Sequence, residues 1–148
     1  MKRMNWQKWI GLAVGALLPV LSANAKDGVA RPFHIKAHSQ QVVSPDGDYL
    51  ATAEGLAAHF GLVTMEGWGN ITQPIGYGTI TATNGDSVQF EFKHDGSGLV
   101  TITGGTGRFA GARGEFALVA QIVSIDFDPD AGTMTIRYIW TGAGTITY

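Results

Sequence analysis

The chain has 148 residues with no cysteine, ten lysines and arginines against twelve aspartates and glutamates, and a formal net charge of −2. Without cysteine there is no disulfide, no zinc–thiolate site and no thiol nucleophile. Without a cluster of basic residues there is no electrostatic footprint for nucleic acid or for an anionic membrane, and the length allows one domain stabilised by burying apolar surface.

The first element in the chain is an export signal. Lys2, Arg3 and Lys8 form a basic start, the run Trp9 to Leu21 is apolar and broken by Pro19, and Ser22-Ala23-Asn24-Ala25 places small residues at the two positions a signal peptidase reads. The apolar run falls short of the roughly 20 residues that a membrane-spanning helix needs. The sequence therefore predicts a cleavable signal peptide at residues 1–25, a mature domain at 26–148, and a secreted or periplasmic location. No cysteine follows the cleavage point to take a lipid, so no stable membrane anchor is expected after cleavage. The three basic residues leave with the signal and all twelve acidic ones stay, so the mature surface is acidic.

After Ala25 no segment sustains an apolar repeat at helical spacing, whereas period-two alternation recurs, as half-buried strands require. The first strands are predicted at Phe33 to Val43, Tyr49 to Ala57 and Ala58 to Ile71, the first two separated by Pro45-Asp46-Gly47. Tyr77 to Thr83 and Ser87 to Lys93 flank Asn84-Gly85, a dipeptide suited to a type I′ hairpin turn. Phe90 and Phe92 share a face with Val88, opposite Gln89, Glu91 and Lys93. His94-Asp95-Gly96-Ser97-Gly98 then turns the chain into Leu99 to Thr103. Further on, Gln121 to Asp128 and Met134 to Trp140 alternate around the turn Asp128-Pro129-Asp130-Ala131-Gly132. The stretch Phe116 to Val123 is apolar on both faces, which suits a strand whose outer side is covered by a partner subunit or a terminal segment. Seven or eight strands joined by short turns pair antiparallel with their sequence neighbours. Such a sheet closes into a barrel, which removes its edges, or folds into a sandwich.

Between the last two groups of strands lies Gly104-Gly105-Thr106-Gly107-Arg108-Phe109-Ala110-Gly111-Ala112-Arg113-Gly114. Gly105-x-Gly107-x-x-Ala110 after a strand matches a dinucleotide-binding turn in letters only. That site needs a helix aimed at the pyrophosphate inside a parallel βαβ unit. Gly111 and Gly114 interrupt any such helix, and the next segment alternates as a strand, so no cofactor is expected. The glycines instead suit a compact turn in which Phe109 plugs one end of the core. This stretch, with Gly104, Gly105, Gly107, Phe109, Gly111 and Gly114 as its structural residues, resembles the strand–turn–strand motif of the allene oxide cyclase and dirigent barrel superfamily. It is similar above all to secreted bacterial proteins with the allene-oxide-cyclase-like barrel. The resemblance implies an all-β fold, a single antiparallel barrel of about eight strands with an apolar cavity, and a homo-oligomer as in the trimeric plant relatives. Those relatives steer cyclisation or radical coupling of small hydrophobic molecules by confining their shape. The motif belongs to the scaffold and carries no catalytic residue across.

Other chemistry is sparse. His34 and His38 point the same way along one strand, roughly 13 Å apart at 3.3 Å per residue, too far to share a metal. They read as solvated, His94 reads as a turn residue, and His59, between Ala58 and Phe60, is the one expected to be partly buried. Glu66 and Glu91 are carboxylates within strands that would move protons only if they pointed inward; Glu91 shares its face with Gln89 and Lys93. Asp126, Asp128 and Asp130 cluster at a turn that offers too few ligands for calcium, so no metal is expected. No serine sits in a nucleophile elbow. Trp68, Tyr77, Phe90, Phe92, Tyr138 and Trp140 are candidate cavity-lining aromatics, with core packing as their alternative role. The expected function is binding or shape-templating of a small hydrophobic ligand. The alternatives are a cavity-based cyclase or isomerase and a self-assembling interaction module.

Overall fold

Alternating apolar and polar side chains carry eight strands into one sheet that closes on itself. The computed structural model describes residues 28–148, and the predicted signal peptide at 1–25 lies outside the described residues. The strands are β1 (Arg31–Val43), β2 (Asp48–Ala57), β3 (Gly61–Asn70), β4 (Ile75–Ala82), β5 (Ser87–Lys93), β6 (Leu99–Gly105), β7 (Arg113–Asp128) and β8 (Thr133–Thr147). Each pairs antiparallel with its sequence neighbours, and β8 returns to pair with β1 from Arg31↔Ile146 to Val43↔Met134, closing the barrel in the order β1 to β8. This is the all-β architecture expected from the alternation. The described residues include one short 3-10 turn, Gly107–Phe109, and no helix long and apolar enough to cross a membrane.

Two local expectations are corrected. The Asn84-Gly85 hairpin is not type I′, because Gly85 has φ +90° while Asn84 keeps a negative φ. Its bonds, Gly85 N–H to Ala82 O at 2.9 Å and Ala82 N–H to Asp86 O at 2.8 Å, describe a type I turn followed by a left-handed glycine. The Asn84 side-chain oxygen favours this form by accepting the Asp86 N–H at 3.0 Å. The third strand begins at Gly61 rather than Ala58, because His59 adopts φ +71° and turns the chain. His59 is exposed rather than partly buried, with Nε2 bonded at 2.8 Å to Pro32 O.

The two ends of the barrel differ. At the end where β1 starts, Phe33, Phe60, Phe109 and Phe116 fill the interior, and Phe33 and Phe109 are fully buried. Phe109 is delivered by the glycine-rich turn. Gly107 takes φ +60°, and a Cβ on Gly105 would overlap the Phe109 carbonyl oxygen, so the chain folds back tightly enough to drive the ring inward. Gly104 pairs with Gln89 one residue before the end of β6, Gly111 lies in the exposed turn before β7, and Gly114 faces the β8 backbone at Thr145 and Ile146. The opposite end carries the hairpin loops 44–47, 71–74, 94–98 and 129–132, and its centre is open.

β7 and β8 are the longest pair and overhang this open end. β6 accompanies β7 only as far as Leu99↔Ala117, so beyond Leu118 the strand pairs with β8 alone. A bulge between Ile122 and Ser124 shifts the register. Val119, Ile122, Val123, Ile125 and Phe127 are all exposed there, and no other described residue covers the apolar surface anticipated on this strand.

Candidate functional site

A cavity of about 370 Å³ opens at the loop-bearing end of the barrel. It exists because the inward positions at this level are small. Ala51 on β2, Gly67 on β3 and Ala120 on β7 occupy sites where larger side chains would meet in the middle, and Phe90, Phe92, Leu118, Tyr138 and Trp140 wall the space they leave. Its floor includes Val100 and Phe116, above the aromatic plug. The volume falls at the small end of the ~300–1,000 Å³ typical of small-molecule sites, with the mainly apolar lining such sites share.

Four of the six aromatics singled out from sequence, Phe90, Phe92, Tyr138 and Trp140, present inward faces to this space. Tyr138 and Trp140 lie at a centroid distance of 6.3 Å. Burial raises the Tyr138 phenol above its ordinary pKa. Trp68 and Tyr77 are placed differently. They face each other across the β3–β4 ladder on the outer surface, 38% and 48% exposed, and Tyr77 borders the cavity beside Gly67 without belonging to the inward set of its strand. Glu66 and Glu91 also occupy the outward-facing set, opposite Thr79 and Tyr77 in the ladders. His34 and His38 are exposed. Asp126 pairs with Arg137, and the Asp128 carboxylate accepts the backbone N–H groups of Asp130 and Ala131, which caps the hairpin turn. Among the described residues no group of three histidine, aspartate or glutamate side chains is placed to hold a metal.

One polar feature of the cavity is a hydrogen-bonded pair that the sequence did not single out. His94 continues the inward series Val88, Phe90, Phe92 one step past the end of β5, and Tyr49 is the first inward residue of β2. Tyr49 Oη lies 2.9 Å from His94 Nε2. On the other side of the ring, Nδ1 lies 2.7 Å from Gln73 O. A carbonyl oxygen only accepts, so Nδ1 carries the hydrogen, and in the neutral ring Nε2 accepts the proton of the Tyr49 hydroxyl. His94 is further fixed by its backbone N–H on Pro74 O at 3.0 Å and by edge contacts with the Tyr49 and Phe92 rings, at centroid distances of 5.5 and 5.6 Å.

The backbone around this pair is cut to fit it. A Cβ on Gly76 would overlap the Tyr49 hydroxyl and stand 2.9 Å from His94 Nε2, while one on Gly69 would come within 3.0 Å of the same hydroxyl. Two glycines on adjacent strands thus make the notch that holds the phenol oxygen. Partial burial pushes the Tyr49 pKa up to about 12, keeping it a neutral phenol throughout the physiological range. Of the charged neighbours, Lys93 lines the rim, and Asp95 turns away to accept from the Ser97 side chain and amide, which hold its carboxyl below the usual range.

No protein-family model and no curated protein matches this chain. Among solved structures, the chain is similar to a pterocarpan synthase dirigent protein at 16% identity, with a TM-score of 0.46 over 84% of this chain and 88% of that one.

Proposed function

We propose that this protein is an exported β-barrel that binds a small hydrophobic molecule in the cavity at its open end and holds it in a defined shape. One observation carries the reading. The interior is plugged by stacked aromatics at one end and deliberately vacant at the other, where glycine and alanine face aromatic walls. A barrel built only for stability would fill that level too, since each void costs packing energy. Export rests on the signal segment at 1–25. Kinship with the allene oxide cyclase and dirigent superfamily rests on the Gly104–Gly114 motif. The Tyr49–His94 pair beside open apolar volume also meets the minimum requirement for a cavity-based cyclase or isomerase, a proton-handling group next to the space where a substrate would lie. The test is thermal unfolding with rising naphthalene. Binding to the folded state raises Tm with ligand concentration, and an unmoved Tm up to the solubility limit would contradict the reading.

A second reading, self-assembly, is favoured by the overhanging part of β7. Its outer edge, from Val119 to Asp128, has no strand partner among the described residues, and its exposed side chains are largely apolar. Such an edge is a template for pairing with a second copy. Sedimentation of wild type and Val123→Lys tests it: a concentration-dependent dimer or higher oligomer lost in the variant supports assembly through β7, and monomers throughout contradict it.

A further inference from the structure

We propose that Tyr49 is the hydroxyl-recognition group of this cavity, so that the ligand is an apolar molecule bearing a hydroxyl donor, an alcohol or phenol, directed at Tyr49 Oη. The proposal rests on the ligand-binding reading above and narrows it.

A lone phenol in an apolar wall is ambiguous, because it donates to ketones and ethers as readily as it accepts from alcohols. Here the ambiguity is removed by a chain of fixed partners. In the neutral ring the Gln73 carbonyl commits His94 Nδ1 as the donor, His94 Nε2 is then the acceptor, and the Tyr49 proton is committed to it at 2.9 Å. What Tyr49 Oη has left to offer a neighbour is lone-pair density. A hydroxyl donor satisfies it. A ketone or ether at the same place would set oxygen against oxygen with no proton between, and the desolvated acceptor would go unpaired at a cost.

The geometry shows investment in this one contact. Gly69 and Gly76 both lack the Cβ that would crowd the phenol oxygen, and the His94 ring is held at both nitrogens, at its backbone N–H and between two aromatic rings. Tyr138 and Trp140 also line the cavity, and their hydroxyl and indole N–H make no side-chain hydrogen bond with other described residues, so both groups remain able to donate to an acceptor on the ligand.

The experiment compares naphthalene, 2-naphthol and 2-methoxynaphthalene binding to wild type and Tyr49→Phe by tryptophan fluorescence at neutral pH. The expected result in wild type is about tenfold tighter binding of 2-naphthol than of either analogue, the effect of one good hydrogen bond. In Tyr49→Phe that preference collapses to near unity while naphthalene affinity stays within about twofold, which also serves as the check that the variant is folded. Equal affinity of the naphthol and its methyl ether in wild type, or a naphthol preference that survives in Tyr49→Phe, overturns the proposal and leaves the binding cavity standing. Failure of all three ligands to bind wild type overturns the cavity reading and the proposal together.

Discussion

The rings of Phe60 and Phe109 stack at a centroid distance of 3.9 Å and an interplanar angle of 9°, and Tyr148 meets Phe109 edge-on at 4.9 Å. This contact joins the β2–β3 turn, the glycine-rich turn and the chain's last residue into one plug. Deleting a fully buried phenylalanine loses both transfer energy and packing, so Phe109→Ala is expected to lower stability by about 3–5 kcal/mol, read from the midpoint of denaturant unfolding. A loss below about 1 kcal/mol would mean that the plug does not organise this end.

Tyr49 titrates near 12 in the folded protein against 10.0 for the free side chain. Between these values the folded state keeps a proton that the unfolded state has released. Stability attributable to this group is therefore intact below pH 10 and declines as pH rises toward 12. Because Tyr49 is only half-buried, solvent screening limits the loss to about 1–2 kcal/mol. Ultraviolet titration is expected to lose one late tyrosinate in Tyr49→Phe, while the step from Tyr138, which burial also raises, remains.

Two inward-facing glycines on neighbouring strands are predicted to respond in opposite ways. At Gly67 the nearest atoms to an added Cβ are 3.6 and 3.7 Å away, so Gly67→Ala is expected to fold normally with the late tyrosinate step retained. At Gly76 the added carbon displaces the Tyr49 hydroxyl from His94. Gly76→Ala is expected to lose about 1–3 kcal/mol through overpacking and to bring the late step toward 10.

Ser39 points into the barrel at 5% exposure, and its Oγ is buried without a hydrogen-bond partner among the described residues. An unsatisfied buried hydroxyl is a net cost, so Ser39→Ala is expected to raise stability by about 1 kcal/mol. Destabilisation measured by the same denaturant midpoint would mean that Oγ has a partner in solution.

The strands were legible because most inward positions hold apolar residues at period two: Phe33, Ile35 and Ala37 on β1, and Met134, Ile136, Tyr138 and Trp140 on β8. The same rule misplaced Trp68, and it hid that Tyr77 borders the cavity from the outer face of its strand, for a physical reason. The inward positions beside them are Gly67, Gly76 and Gly78, which carry no hydrophobic signal, so the aromatic neighbours on the outer face look like the buried set. His94 reads as a turn residue in the sequence because Asp95-Gly96 follows it, although it is also the next inward step after Phe90 and Phe92. Its partnership with Tyr49 joins residues 45 positions apart and depends on a notch from two further strands. Only the closed register brings these together. The hairpin at Asn84-Gly85 departs from type I′ because a side chain chose among turns that the dipeptide alone permits.

The most direct test of the central claim is a crystal structure of residues 26–148 soaked with 1-bromonaphthalene, with the bromine located by anomalous scattering. A single strong bromine peak inside the barrel, among Phe92, Leu118 and Trp140, is the result expected of a ligand cavity. An empty interior with bromine only on the outer face of β7 would contradict it.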